Sequence, residues 1–67
     1  MMLQVGQVVR FDYTSTNKKT GKPEKKVRQV RIEGIWPDLM RGFDYLADAP
    51  VGGYRSFAIS KMENVTN

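Results

Sequence analysis

Val8-Val9-Arg10-Phe11-Asp12-Tyr13-Thr14 is the stretch that decides the fold class. Val9, Phe11 and Tyr13 fall on one side of an extended chain, and Val8, Arg10 and Asp12 on the other. That period of two reads as a half-buried strand. The next residues, Ser15-Thr16-Asn17-Lys18-Lys19-Thr20-Gly21-Lys22-Pro23, contain no apolar side chain and many turn formers, which predicts a loop. Its basic character continues to residue 26. A second strand is expected over Lys26–Trp36, where Val30 and Ile32 alternate with Gln29 and Arg31 and where Gly34 marks a bulge or bend. Pro37 cannot donate to a ladder and breaks the run.

Two readings of residues 38–48 follow from the pattern. As a helix, Asp38 is the N-cap and Leu39, Phe43, Leu46 and Ala47 line one face, at a cost of about 1 kcal/mol for Gly42 in its interior. As a strand, Met40, Gly42, Asp44 and Leu46 alternate with Leu39, Arg41, Phe43 and Tyr45, and the aromatic residues favour this form by propensity. Ala49-Pro50-Val51-Gly52-Gly53 is a turn, and Tyr54–Met62 reads as one continuous strand with Phe57 and Ile59 on its apolar side. Glu63–Asn67 is short enough to add a last edge.

The fold expected is therefore all-β, with room for one short helical turn, in a single domain over residues 1–67. The apolar residues available for a core are Val9, Phe11, Tyr13, Val30, Ile32, Ile35, Trp36, Leu39, Phe43, Leu46, Phe57, Ile59 and Met62. A flat sheet of this size leaves an apolar face and two edges exposed, so a strongly bent, barrel-like meander is expected. Edge pairing between two copies, giving a homo-oligomer, is the other route to burial.

Composition narrows the chemistry. The 67 residues contain no Cys and no His. Disulfides, thiolate metal sites, a cysteine nucleophile and a histidine base are all excluded. Folding a chain this short hides only about 60% of its unfolded surface. Ser15, Ser56 and Ser60 have no base to activate them. Asp38, Asp44 and Asp48 read as turn caps and surface charge before they read as a Mg²⁺ site. Gly52-Gly53 lacks the lysine and hydroxyl of a phosphate loop. The chain is expected to be non-enzymatic and to need no cofactor. It shows neither a secretory leader nor a long apolar run, so a cytoplasmic protein without membrane contact is expected.

The net charge of +4 is local. Residues 18–31 carry Lys18, Lys19, Lys22, Lys25, Lys26, Arg28 and Arg31 against one acid, Glu24, and the remainder is slightly acidic. Lysine and arginine gathered in this way bind phosphates by releasing counterions. Tyr45, Tyr54 and Arg55 add aromatic surface on which bases stack beside such contacts.

Arg41-Gly42-Phe43-Asp44 followed by Gly53-Tyr54-Arg55-Ser56-Phe57-Ala58-Ile59-Ser60-Lys61-Met62 resembles the C-terminal half of the WYL domain family. That family runs leucine-x-glycine-aromatic-aspartate, a turn, then glycine-x-x-arginine, serine or threonine, and phenylalanine. Phe11-Asp12-Tyr13 and the polar loop after it are similar to the family's opening. The Trp-Tyr-Leu triplet that names the family falls at Asp38-Leu39-Met40 and is absent, and Ala58 stands at a position often basic in the family. The resemblance implies a small SH3/Sm-like β-barrel of about five strands that senses nucleic acid or nucleotides, with compact stand-alone relatives in phages. It further implies that Arg55 and Lys61 belong to the ligand surface and that Gly42 and Phe57 are structural.

The function expected is a small binding module for nucleic acid or an anionic nucleotide, using Lys25, Lys26, Arg28, Arg31, Tyr45, Tyr54, Arg55 and Lys61. The alternative is a protein-interaction module of phage type that docks on a host protein through the Tyr54, Ser56 and Ala58 face or an edge strand.

Overall fold

A computed structural model describes residues 3–47 and 51–67. It contains β1 (Val8–Thr16), β2 (Pro23–Ile35), β3 (Leu39–Asp44), β4 (Gly53–Ala58), a single 3₁₀ turn at Ile59–Lys61, and β5 (Met62–Thr66). All pairings are antiparallel, in one sheet of order β4-β3-β2-β1-β5. The all-β expectation holds: of residues 38–48, Leu39–Asp44 take the strand form and 45–47 form a turn.

The sheet is not a closed barrel: β4 and β5 are its two edges, with no ladder between them among the described residues. The seam is bridged locally. The Ala58 N–H donates to the Tyr13 hydroxyl at 3.0 Å, which ties the end of β4 to β1. The following residue, Ile59, donates its N–H to the Asp38 carbonyl at 3.1 Å, and the chain then turns through the 3₁₀ segment into β5. The strand expected over Tyr54–Met62 is thus two strands. Nothing in Ile59-Ser60-Lys61 breaks a strand by composition; the break comes from this tertiary anchoring.

The long loop expected after β1 is a short turn. β1 runs on to Thr16 and β2 begins at Pro23, with Thr16 opposite Pro23 and Ser15 opposite Glu24. Asn17 organises the turn. Its backbone N–H donates to the Lys22 carbonyl at 2.8 Å and its carbonyl accepts the Gly21 N–H at 2.7 Å. Its side chain accepts the Lys19 N–H at 2.8 Å and donates to Glu24 at 2.9 Å. Gly21 takes φ of 73°, which costs glycine nothing. Pro23, at the first position of a strand, sacrifices no ladder bond that the hairpin needs.

Val9, Phe11, Val30, Ile32, Met40 and Phe57 form the core. Tyr13, Ile35, Ile59 and Met62 pack partly buried against it. Each large side chain fully removed from water contributes about 1.5–3 kcal/mol. Phe11, Tyr13 and Phe57 meet edge to face, with centroids 4.9–6.2 Å apart. On β3 the inward face is Met40, Gly42 and Asp44, all buried. Leu39, Phe43 and Leu46, expected in the core, lie on the outer face or beyond the strand, as does Trp36, which is 51% exposed. The register of β2 and β3 slips between Ile32 and Gly34, as the glycine predicts, and the Trp36 indole lies over Gly34. Ala49 and Pro50 of the predicted turn lie outside the described residues.

Candidate nucleic-acid interface

Alternation along β2 divides the basic window between two faces. Lys26 and Arg28 have the parity of buried Val30 and Ile32, whereas Lys25 and Arg31 have the opposite one. The inward pair opens into a cleft of about 640 Å³, a size typical of sites for small molecules or single nucleotides. Ser15 to Lys19 at the end of the first hairpin form one wall, and Glu24, Lys26 and Arg28 of β2 form its floor. Leu46 and Ala47, after β3, and Arg55 of β4 close the other side. Lys18, Lys19, Lys26, Arg28 and Arg55 therefore converge on one concavity. Glu24 is the one acid that lines it among the described residues.

Arg28 anchors the floor. Its Nη1 lies 3.3 Å from Oδ2 of Asp44, which is fully buried. Its guanidinium carbon lies 5.9 Å from the centroid of the Phe57 ring. The other carboxylate oxygen of Asp44 accepts the Leu46 N–H at 2.9 Å, so the same side chain fixes the turn that walls the cleft. Arg28 Nε is buried and has no hydrogen-bond partner among the described residues. Much of the charge of Arg28 is thus matched from behind by Asp44, and the exposed cations carry the outward field.

Those cations are Lys18, Lys19, Lys26 and Arg55. Lys26 lies 3.0 Å from Glu24. The Asn17 hydrogen bond first, and Lys26 second, hold the Glu24 carboxyl below the usual glutamate range. Arg55 donates through Nη1 to the Tyr54 carbonyl at 3.1 Å. Lys18 and Lys19 stand exposed on the turn, and the ion pairs among the described residues do not include them. An exposed ion pair such as Lys26–Glu24 is worth little and yields readily to a phosphate.

The remaining predicted site residues lie elsewhere. Arg31 is on the outer face of the sheet, 3.3 Å from Glu33 and 3.4 Å from the Tyr45 hydroxyl. The Glu33 hydrogen bond, followed by Tyr45, raises its already high pKa. Tyr45 and Tyr54 flank Phe43 on that face, with centroids 5.3 and 5.2 Å from it. Lys25 pairs with Glu63 of β5 at 3.4 Å. Lys61 sits on the 3₁₀ turn and lines a separate shallow groove beside Thr14 and Glu63. Of the eight predicted residues the cleft gathers Lys26, Arg28 and Arg55. Lys18 and Lys19 join them from the basic window, where their charge was visible but not their position.

Asp38 is exposed, Asp44 is committed to Arg28, and Asp48 lies outside the described residues. Among the described residues no cluster of three or more metal-ligating side chains occurs, and no helix is long and apolar enough to cross a membrane. Comparison of the chain with protein-family models, with curated proteins and with solved structures finds no match.

Proposed function

We infer that this protein binds nucleic acid or an anionic nucleotide through the cleft between the first hairpin and β4. The observation that carries this reading is the convergence of Lys18, Lys19, Lys26 and Arg55 over the Arg28 floor. A concave surface of one sign raises the local concentration of phosphate groups, and each phosphate neutralised releases counterions. The resemblance of residues 41–62 to the WYL domain supports the same ligand class, with Arg55 as the shared basic residue. In this reading the protein works in the cytoplasm and performs no chemistry on its ligand.

Fluorescence anisotropy with labelled single- and double-stranded oligonucleotides at about 50 mM salt tests it. Binding that weakens several-fold in K18Q/K19Q supports the reading. Absence of binding to both strand forms removes the nucleic-acid reading, and absence of binding to a labelled nucleoside triphosphate as well removes the nucleotide reading.

A second reading, docking on a host protein or on another copy of this chain, is favoured by the edges of β4 and β5, unpaired among the described residues, and by Tyr54 and Ser56, exposed on β4. Capture of a partner that survives nuclease treatment and is unaffected by K18Q/K19Q would replace the first reading with this one. Light scattering on the isolated protein reports self-association.

A further inference from the structure

The outer face of the sheet carries a feature that the cleft does not use. Arg31 of β2, Phe43 of β3 and Tyr54 of β4 are directly opposite one another across three strands. Tyr45 extends the row along the chain, two residues from Phe43 on the same face. Phe43 is half-buried at the centre, while Tyr45 is 38% and Tyr54 54% exposed. The Arg31 guanidinium carbon lies 6.0 Å from the Phe43 centroid. The rings are held by one another and by Arg31, and so form a preorganised aromatic platform with a cation at its margin.

We propose that this platform stacks the unpaired bases of a single strand whose backbone occupies the cleft. The proposal rests on the cleft reading and adds to it the ligand class, single-stranded rather than duplex. Three observations favour bases over an apolar protein segment. The cations Arg31 and Arg41 lie on the same face of the sheet as the rings. The hydroxyl-bearing rings are amphipathic, suited to a base whose edges stay hydrated. The platform is also continuous with the cleft: Arg55, which lines the cleft, and Tyr54, which belongs to the platform, are consecutive residues on an edge strand with opposite orientations. Likewise Leu46 lines the cleft and directly follows Tyr45. A strand crossing the β4 edge therefore passes from phosphate contacts to stacking contacts over the thickness of one sheet. A rigid duplex cannot make that passage with its bases unpaired.

The test compares an oligothymidylate with an abasic strand of equal length and charge, using the full chain. The proposal predicts that oligothymidylate binds about tenfold more tightly, since stacking adds to backbone contacts. Y54S, at an exposed position, should reduce that ratio several-fold and leave the affinity for the abasic strand unchanged. Y54F should retain it. K18Q/K19Q should weaken both strands alike. Equal affinity for the two strands, or tighter binding of a duplex, overturns the platform while leaving the cleft reading intact. Failure of both strands to bind overturns both. If Y54S alters the circular dichroism spectrum, chemical-shift changes on titrating the wild-type protein decide instead. Shifts at Tyr45 and Tyr54 that appear with oligothymidylate and not with the abasic strand support the proposal, and identical shifts contradict it.

Discussion

Arg28 Nη1 lies 3.3 Å from Asp44 Oδ2, and the two side chains are unequally buried: 16% of the arginine side chain is exposed and none of the aspartate. The pair belongs to the fold and to the cleft together. Asp44 fixes the turn at Leu46, and Arg28 presents its remaining surface to the cavity. Because burial is unequal, the two halves of the pair are not equally dispensable.

Removing the arginine strands a carboxylate that no water reaches. Removing the aspartate strands a guanidinium that can turn toward the cleft. R28M is therefore expected to cost about 3 kcal/mol and D44N about 1–2 kcal/mol. A domain of this length has roughly 3–10 kcal/mol in total, so R28M removes about a third of it or more. Urea denaturation of the two variants checks the order. Equal losses would show that the pair is more open to solvent than its geometry indicates.

Gly42 is required by close packing between strands. A methyl group there would meet the Arg31 carbonyl oxygen and approach within 2.6 Å of Val30 Cγ1. The carbonyl belongs to the ladder and cannot move without opening it. G42A is expected to lose about 2–3 kcal/mol, whereas S56A, at a nearby exposed position on β4, should stay within about 0.5 kcal/mol of wild type. Thermal denaturation of the two side by side is sufficient. A G42A variant as stable as S56A would contradict the pairing of Gly42 with Ile32 across β2 and β3.

The first hairpin should loosen in mild acid. Glu24 has its carboxyl held below the ordinary range by Asn17 and then by Lys26. A carboxyl lowered in the folded state contributes stability that is present above its unfolded pKa and is lost as pH falls through the folded value. Amide protection at Gly21 and Lys22, corrected for the intrinsic exchange rate, should therefore fall as pH drops from the ordinary glutamate range toward the lower folded value. N17A removes the larger cause of the shift and should flatten that fall. Protection that stays constant across this range in the wild type would mean that the Asn17 bond does not persist in solution.

Much of this fold is legible from alternation. Val9, Phe11 and Tyr13 against Arg10 and Asp12, and Val30 and Ile32 against Gln29 and Arg31, place β1 and β2 correctly, because a period of two fits an extended chain and scatters apolar groups around a helix. The buried face of β3 is misread for a physical reason. Its inward face is a methionine, a glycine and an aspartate, and its outward face holds Leu39 and Phe43, so hydrophobicity points the wrong way. Asp44 is acceptable inside because Arg28 reaches it from the neighbouring strand and the Leu46 N–H satisfies its other oxygen, and no local pattern announces an ion pair so far apart in sequence. The break at Ile59 is hidden similarly, since it depends on Asp38 and Tyr13. The site is legible as charge and illegible as shape. The basic window shows which residues are cationic, but only the strand register shows that Lys26 faces the cleft with Lys18 and Lys19 while Lys25 and Arg31 face away.

The most direct test of the cleft is the salt dependence of single-strand binding, measured for wild type and for K18Q/K19Q/K26Q. Three to four phosphate contacts predict a slope of log affinity against log salt of about −2 to −3, and the variant should retain about −1 or less. A slope near zero in the wild type, or an unchanged slope in the variant, would contradict the assignment of the cleft as the phosphate-binding surface.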